Sequence, residues 1–392
     1  MSAESKAHPK CGGGDPCVYM GKDVGWILYE PELETVNGTP YPPTSLSYLH
    51  DNTTIFYTMA SYRDKLCPVT LFNLFTKAKN PARITVGVVQ QNMPEDMDCL
   101  DEYCRLMSQA GKGDENYCPY REQVTMKRFY ARIAKGPTWA RAHGSTMVKD
   151  EEFCMQTDSH MDFVQNWDSE MLKMWGSTNN EYAVLSTYVT AIEELPHLGE
   201  GQKGLLLTHL LTRLLTYSLT HSLRLNGLHE VPHLCMVTLG GAHGLVRNWG
   251  TKCARMLPQP KLTNAIWGAG LSFSKCHAER KVPYDPHTPH IFDGEEFSRS
   301  VRLFTWGYDI YTPNRVYVVH NYLISQSDSK HMDWWGNGVN VTEGDPTTSA
   351  NRLKLLLGMT LTGVSEQNDS KYDREFGLDA MKVRKSKYGL GK

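Results

Sequence analysis

The run Ile84-Thr-Val-Gly-Val-Val89 constrains this chain more than any other feature. It is nearly unbroken apolar and β-branched, and a strand of that kind has both faces buried, as in a parallel sheet covered by helices. Upstream, Thr54-Ile-Phe-Tyr-Thr-Met59 is β-branched and aromatic and predicts a strand. A polar loop, Ala60-Ser-Tyr-Arg-Asp64, then leads into the helical stretch Thr70-Leu-Phe-Asn-Leu-Phe-Thr-Lys77, which Asn80-Pro81 stops. Strand, helix and strand in that order make a βαβ unit. Val124–Phe129 and Glu152-Phe-Cys-Met-Gln-Thr157 predict further strands, with a helix over Gly136–His143 between them, so this half of the chain reads as α/β.

Charge excludes some partners. Lys+Arg 41 against Asp+Glu 43 leaves a net charge of −2, too weak a field to hold nucleic acid or an anionic membrane. Hydrophobic content of 40% excludes a disordered chain. The first residues are polar, with no signal-peptide core and no run of about eighteen apolar residues to span a membrane, so a cytoplasmic location is expected. Ten cysteines spread over 392 residues, with no Cys-x-x-Cys pair, predict reduced thiols. Residues 1–50, rich in Gly and Pro, form an extension. The body spans 51–330, with an insertion at about 197–226 whose Leu206–Leu225 repeats with period four, and residues 331–392 suit a lid on the acceptor side.

The strongest chemical signal is Asp158-Ser-His160, at the end of a predicted strand. Residues i and i+2 of an extended chain point the same way, so both can grip one cation, at the strand end where open α/β sheets bind ligands. Such an ion can carry the diphosphate of a nucleotide sugar. The structural alternative is a turn that caps the next helix. His229-Glu-Val-Pro-His233 matches the zinc-peptidase pattern, but Pro232 disfavours the helix that pattern needs and Leu234–Leu239 reads as strand. Gly268-Ala-Gly270 lacks the last glycine of a dinucleotide fingerprint; its small residues would let backbone approach a sugar. Glu295 and Glu296 open a helix, where acids either complement the dipole or bind sugar hydroxyls or an acceptor.

Taken together, Ala60–Asp64, Ile84–Asn92, Asp158–His160, Asn264–Phe273, Pro283-Tyr-Asp-Pro-His287, Phe292-Asp-Gly-Glu-Glu296 and Tyr317-Val-Val-His-Asn-Tyr322 closely resemble the polypeptide N-acetylglucosaminyltransferases that modify a hydroxyproline on the cullin-ligase adaptor, the S-phase-kinase-associated protein. The likeness runs from about residue 50 to 358 and extends distantly to the mucin-type N-acetylgalactosaminyltransferases. It implies a GT-A fold, a Rossmann-like mixed sheet flanked by helices. It also implies an α-retaining transfer of GlcNAc from UDP-GlcNAc to a polypeptide hydroxyl, and a divalent cation, Mn2+ or Mg2+. Carried onto this chain, it makes Asp158, His160 and His320 the metal ligands and Arg141 a phosphate or uridine contact. Ser61, Tyr62, Arg63 and Asp64 become a uridine-facing loop, Gln91 or Asn92 the base-recognition residue, Gly268 and Gly270 donor contacts, and Asp158, His160, Glu295 and Glu296 the catalytic set. The expected acceptor is hydroxyproline of the adaptor. Ser or Thr of mucin-like proteins, a catalytically inactive adaptor-binding relative and, remotely, a peptidase at His229 and His233 are the alternatives.

Overall fold

The computed structural model of the chain describes residues 17–19, 26–28, 45–111, 114, 117–195, 230–239, 244–255, 257–263, 267–323 and 346–357. A short antiparallel pair, β1 (Cys17–Tyr19) and β2 (Trp26–Leu28), precedes the predicted βαβ unit. That unit is β3 (Ile55–Tyr62), α1 (Cys67–Thr76) and β4 (Ile84–Asn92), with β3 and β4 parallel from Ile55 opposite Ile84 to Tyr62 opposite Gln91. Next come α2 (Cys99–Ala110) and β5 (Val124–Tyr130), parallel to β4, then α3 (Pro137–Ser145) and β6 (Phe153–Thr157), parallel to β3. Asp98 caps α2 by accepting from the amides of Leu100 and Asp101. The sequence reading predicts neither α2 nor the later helix at Trp167–Gly176.

The chain continues through β7 (Met161–Phe163), α4 (Trp167–Gly176), β8 (Ala183–Thr187) and β9 (Thr190–Ala191). A long hairpin follows, β10 (Glu230–Leu239) with β11 (Val246–Arg255), then β12 (Lys261–Thr263) and β13 (Leu271–Lys275). Helices α5 (His277–Lys281) and α6 (Glu295–Thr305), strands β14 (Asp309–Thr312) and β15 (Val318–His320), and helix α7 (Pro346–Leu356) complete the order. Eight strands form one sheet in the order β12-β14-β8-β13-β6-β3-β4-β5, and β13 runs antiparallel to both neighbours, so the sheet is mixed as expected. No helix among the described residues is long and apolar enough to cross a membrane.

One face of this sheet packs on α1, α2 and α4 through Leu71, Phe75, Tyr103, Trp167 and Trp175, all buried. On the other face lies α3, close enough that a Cβ on Gly144 would sit 2.6 Å from Thr58 Oγ1. Glycine is required there because the helix backbone must rest on the strand. A second, three-stranded sheet, β7-β15-β9, pairs His320 with Met161.

Two expectations change. Strand β10 begins at Glu230, four residues before the predicted start, and absorbs Pro232 at a register irregularity between Val231 and Pro232. The zinc-peptidase pattern therefore lies on strand from Glu230 onward, and His233 is buried with Nδ1 2.7 Å from Thr312 Oγ1; His229 falls outside the described residues, as do the Leu206–Leu225 repeat and Trp334-Trp335. Reduced thiols are expected from the sequence, but among the described residues Cys67–Cys99, Cys104–Cys118 and Cys154–Cys276 are disulfides. Dilution along the chain is no measure of distance in space. Parallel β3 and β4 deliver the first residues of α1 and α2 to the same edge, which brings Cys67 to Cys99.

Candidate active site

A cavity of about 670 Å³ opens where β3, β4 and β6 end, bounded on the far side by β11 and the start of α6. Asp158 follows the last residue of β6, and His160 precedes β7. His320 ends β15, and the amide of Asn321 donates to the His160 carbonyl at 3.0 Å, so the small sheet closes the sequence gap between the two histidines. Ligand atoms of Asp158, His160 and His320 all lie within 4.8 Å of one another. Nε2 of His160 is 2.9 Å from Nε2 of His320, and His320 Nε2 is 3.4 Å from Asp158 Oδ2.

That geometry suits a cation. The Nδ1 of His160 is 2.7 Å from Asp64 Oδ2, a fully buried carboxylate that also accepts from Ser159 Oγ at 2.5 Å and, through Oδ1, from the Leu66 amide at 2.8 Å. Burial alone would raise the Asp64 carboxyl, but His160, Ser159 and the Leu66 amide together hold it below the usual carboxylate range. An ionised carboxylate only accepts, so the imidazole proton of a neutral His160 sits on Nδ1 and the bare lone pair of Nε2 faces His320. Asp158 is likewise held well below its ordinary range, with burial opposed by His320, Arg141 and His160. Two imidazoles and a carboxylate converging in this way fit a divalent ion such as Mn2+ or Mg2+.

Arg141, on α3, is the hub of the remaining charge. Its Nη2 donates to Asp158 Oδ1 at 2.8 Å and its Nη1 to Glu295 Oε1 at 2.5 Å, leaving Asp158 Oδ2 for the ion. Burial raises the Glu295 carboxyl, and the facing guanidinium only partly offsets it. Gly294, at φ 95°, caps α6 in the left-handed region and turns the two glutamates toward the cavity. Glu296 accepts from the Ala269 amide at 2.8 Å and from the Tyr188 hydroxyl, and burial pushes its carboxyl up to about 7. Since that value exceeds the ordinary 4.5, the proton is bound more tightly in the folded state. The wild-type chain should therefore lose stability as pH rises from 4.5 to 7, by on the order of 3 kcal/mol from this group. Glu296→Gln should lack that component when thermal unfolding of the two chains is compared across the same pH interval; equal pH slopes would contradict the assignment.

The donor-side expectations divide. Tyr62, Gln91, Arg141, Asp158 and Gly270 line the cavity, and so do Glu295, Glu296 and His320. Of the pair left open at the end of β4, the cavity takes Gln91; Asn92 Nδ2 is turned to the Met97 carbonyl at 2.8 Å. Arg63 does not line the cavity, because its guanidinium is held by Asp96 through Nε at 2.6 Å and Nη2 at 3.0 Å. Ser61 is buried and does not line the cavity, Asp64 is spent on Ser159, His160 and the Leu66 amide, and Gly268 is clamped by Ser186, its amide donating to Oγ at 2.9 Å. Sequence reading missed Tyr188, whose hydroxyl bonds Glu296 and whose ring lines the cavity, because the stretch Tyr182–Ala191 carried no pattern that had been read.

Near the strand ends of this mixed α/β sheet the chain thus brings together an Asp-His-His cluster able to hold a cation and a buried arginine from α3. A family model described as Glycosyltransferase (GlcNAc) matches residues 54–117 and 102–392, and the chain belongs to that family. No curated protein matches the sequence. Among solved structures the chain is similar to GalNAc-T7 with UDP, GalNAc and Mn2+, at TM-score 0.48 and 13% identity over 86% of this chain and 55% of that one. It is also similar to a mannosyltransferase from Pyrobaculum calidifontis in complex with GDP-Man and Mn2+ (TM-score 0.40, 10% identity, 92% of this chain and 80% of that one) and to S. aureus TarS 1-349 in complex with UDP-GlcNAc (TM-score 0.41, 11% identity, 85% and 74%). The chain spans about half the length of the GalNAc-T7 chain.

Proposed function

We propose that this protein is a GT-A enzyme that transfers GlcNAc from UDP-GlcNAc to a polypeptide hydroxyl with retention at the anomeric carbon. The observation that carries the reading is the meeting of Asp158, His160 and His320 beside Arg141, at a cavity lined by Asp158, His320 and Arg141, in a chain belonging to a GlcNAc glycosyltransferase family. Asp158 Oδ2 and the Nε2 atoms of His160 and His320 would hold a divalent ion. When bound, it would neutralise the diphosphate and assist its departure as a Lewis acid. Arg141 adds a fixed positive charge beside the same diphosphate, and Tyr62 and Gln91 bound the pocket where the base would lie.

Every carboxylate that lines the cavity is engaged: Asp158 by Arg141, Glu295 by Arg141, Glu296 by Tyr188 and Ala269, and Asp293 by Arg247 at 3.7 Å. Same-face attack needs none of them as nucleophile. The bond from the anomeric carbon to the β-phosphate oxygen breaks, the acceptor oxygen bonds that carbon, and the departing phosphate oxygen takes the acceptor proton. A trapped glycosyl-enzyme adduct would refute this step.

The acceptor reading has two forms. Hydroxyproline of the ubiquitin-ligase adaptor goes with the cytoplasm. Ser or Thr of secreted, mucin-like chains goes with an oxidising compartment, and the disulfides among the described residues favour this second form because such bonds persist there. Incubation with labelled UDP-GlcNAc and Mn2+, offering hydroxyproline and Thr peptides side by side, tests both. Transfer to either supports the enzyme, the preferred peptide chooses the form, and no transfer or donor hydrolysis with any peptide contradicts the reading.

A further inference from the structure

Asp64 is a carboxylate without a surface. Its side chain is fully buried at the end of β3, where Arg63, at φ 51°, turns the backbone sharply and sends its own guanidinium to Asp96. Three donors meet the two Asp64 oxygens: Leu66 N on Oδ1, and Ser159 Oγ and His160 Nδ1 on Oδ2. Nothing of it is left for a nucleotide base. From α1, Thr70 ties down the same loop, its hydroxyl accepting from the Met161 amide at 2.9 Å and donating to the Ser159 carbonyl at 2.8 Å. Asp64, between β3 and α1, and Thr70, on α1, thus grip residues 159–161 from two sides.

We propose that Asp64 is a positioning residue for the ion site: by holding the proton of His160 on Nδ1 and fixing the ring plane, it presents Nε2 as a ligand beside Asp158 and His320. This rests on the metal-dependent reading given above and identifies what the carboxylate serves, which is ion affinity and not donor-base recognition. The chemistry is specific to the carboxylate. An asparagine has one accepting atom where Asp64 has two in use, so either its NH2 faces the Leu66 amide or it faces the imidazole. In the second arrangement His160 must carry its proton on Nε2, pointed into the ion site, and coordination is lost until the ring changes tautomer.

The full chain, titrated with Mn2+ while free ion is followed by electron paramagnetic resonance, tests this directly. Asp64→Asn should weaken Mn2+ binding by about 10–100-fold, leave UDP affinity measured without metal unchanged, and recover transfer when Mn2+ is raised in proportion. Ser159→Ala removes a hydrogen bond to the same oxygen without touching the imidazole and should change Mn2+ affinity far less. Wild-type Mn2+ affinity in Asp64→Asn, or a loss of metal-free UDP binding there, would overturn the assignment. A wild-type chain that retains no Mn2+ at all would instead overturn the ion site itself. Should Asp64→Asn fail to fold, 15N spectra of the histidines in the wild-type chain with Mg2+ and UDP decide: protonation of His160 at Nδ1 supports the role, and protonation at Nε2 overturns it.

Discussion

Asp158→Asn is expected to lower transfer by about a thousandfold or more, since the negative charge it removes helps to hold the ion that would neutralise the diphosphate, an effect of several kcal/mol. The substitution keeps the side-chain volume, and Arg141 keeps Glu295 as a partner at 2.5 Å, so the fold should survive. Circular dichroism should be unchanged while Mn2+-dependent UDP binding disappears. Transfer within tenfold of wild type would mean that the carboxylate is structural.

Arg141→Met is expected to destabilise the chain by about 3–5 kcal/mol, because it strands Glu295 in a buried site without its counter-charge. Glu295 then takes up a proton on folding, so the deficit should grow as pH rises above the ordinary range of a glutamate and shrink below it. The double variant Arg141→Met with Glu295→Leu removes the stranded charge and should regain part of the loss; a simple sum of the two single effects would contradict the coupling. Urea unfolding at two pH values measures all three chains.

Much of the sheet was legible because its signals are local. The apolar run at Ile84 and the aromatic, β-branched run at Ile55 can form little else than buried parallel strands, and β3, β4, β5 and β6 lie within a few residues of their expected bounds. Asp158 and His160 were legible for the same reason, through two-residue spacing at a strand end, whereas His320 entered only with the family resemblance. What local reading missed depends on partners far along the chain. Glu295 lies 154 residues from Arg141, and nothing near either residue announces the pair. Asp64 carries no mark in its loop that distinguishes a base contact from a buried anchor; its role appears only when β3 and β6 lie side by side and bring Ser159 and His160 to it. The cysteines failed in the same way, since Cys154 and Cys276 are 122 residues apart in sequence yet covalently joined. Proline at 232 argued correctly against a helix, but not for a bulged strand that starts ahead of it.

The most direct test is anomalous diffraction at the manganese edge from crystals grown with UDP and Mn2+. One strong peak within coordination distance of Asp158 Oδ2, His160 Nε2 and His320 Nε2, with the diphosphate completing the shell beside Arg141, is the predicted result. UDP bound in the cavity with no peak among those three side chains, or with the metal held by other residues, would contradict it.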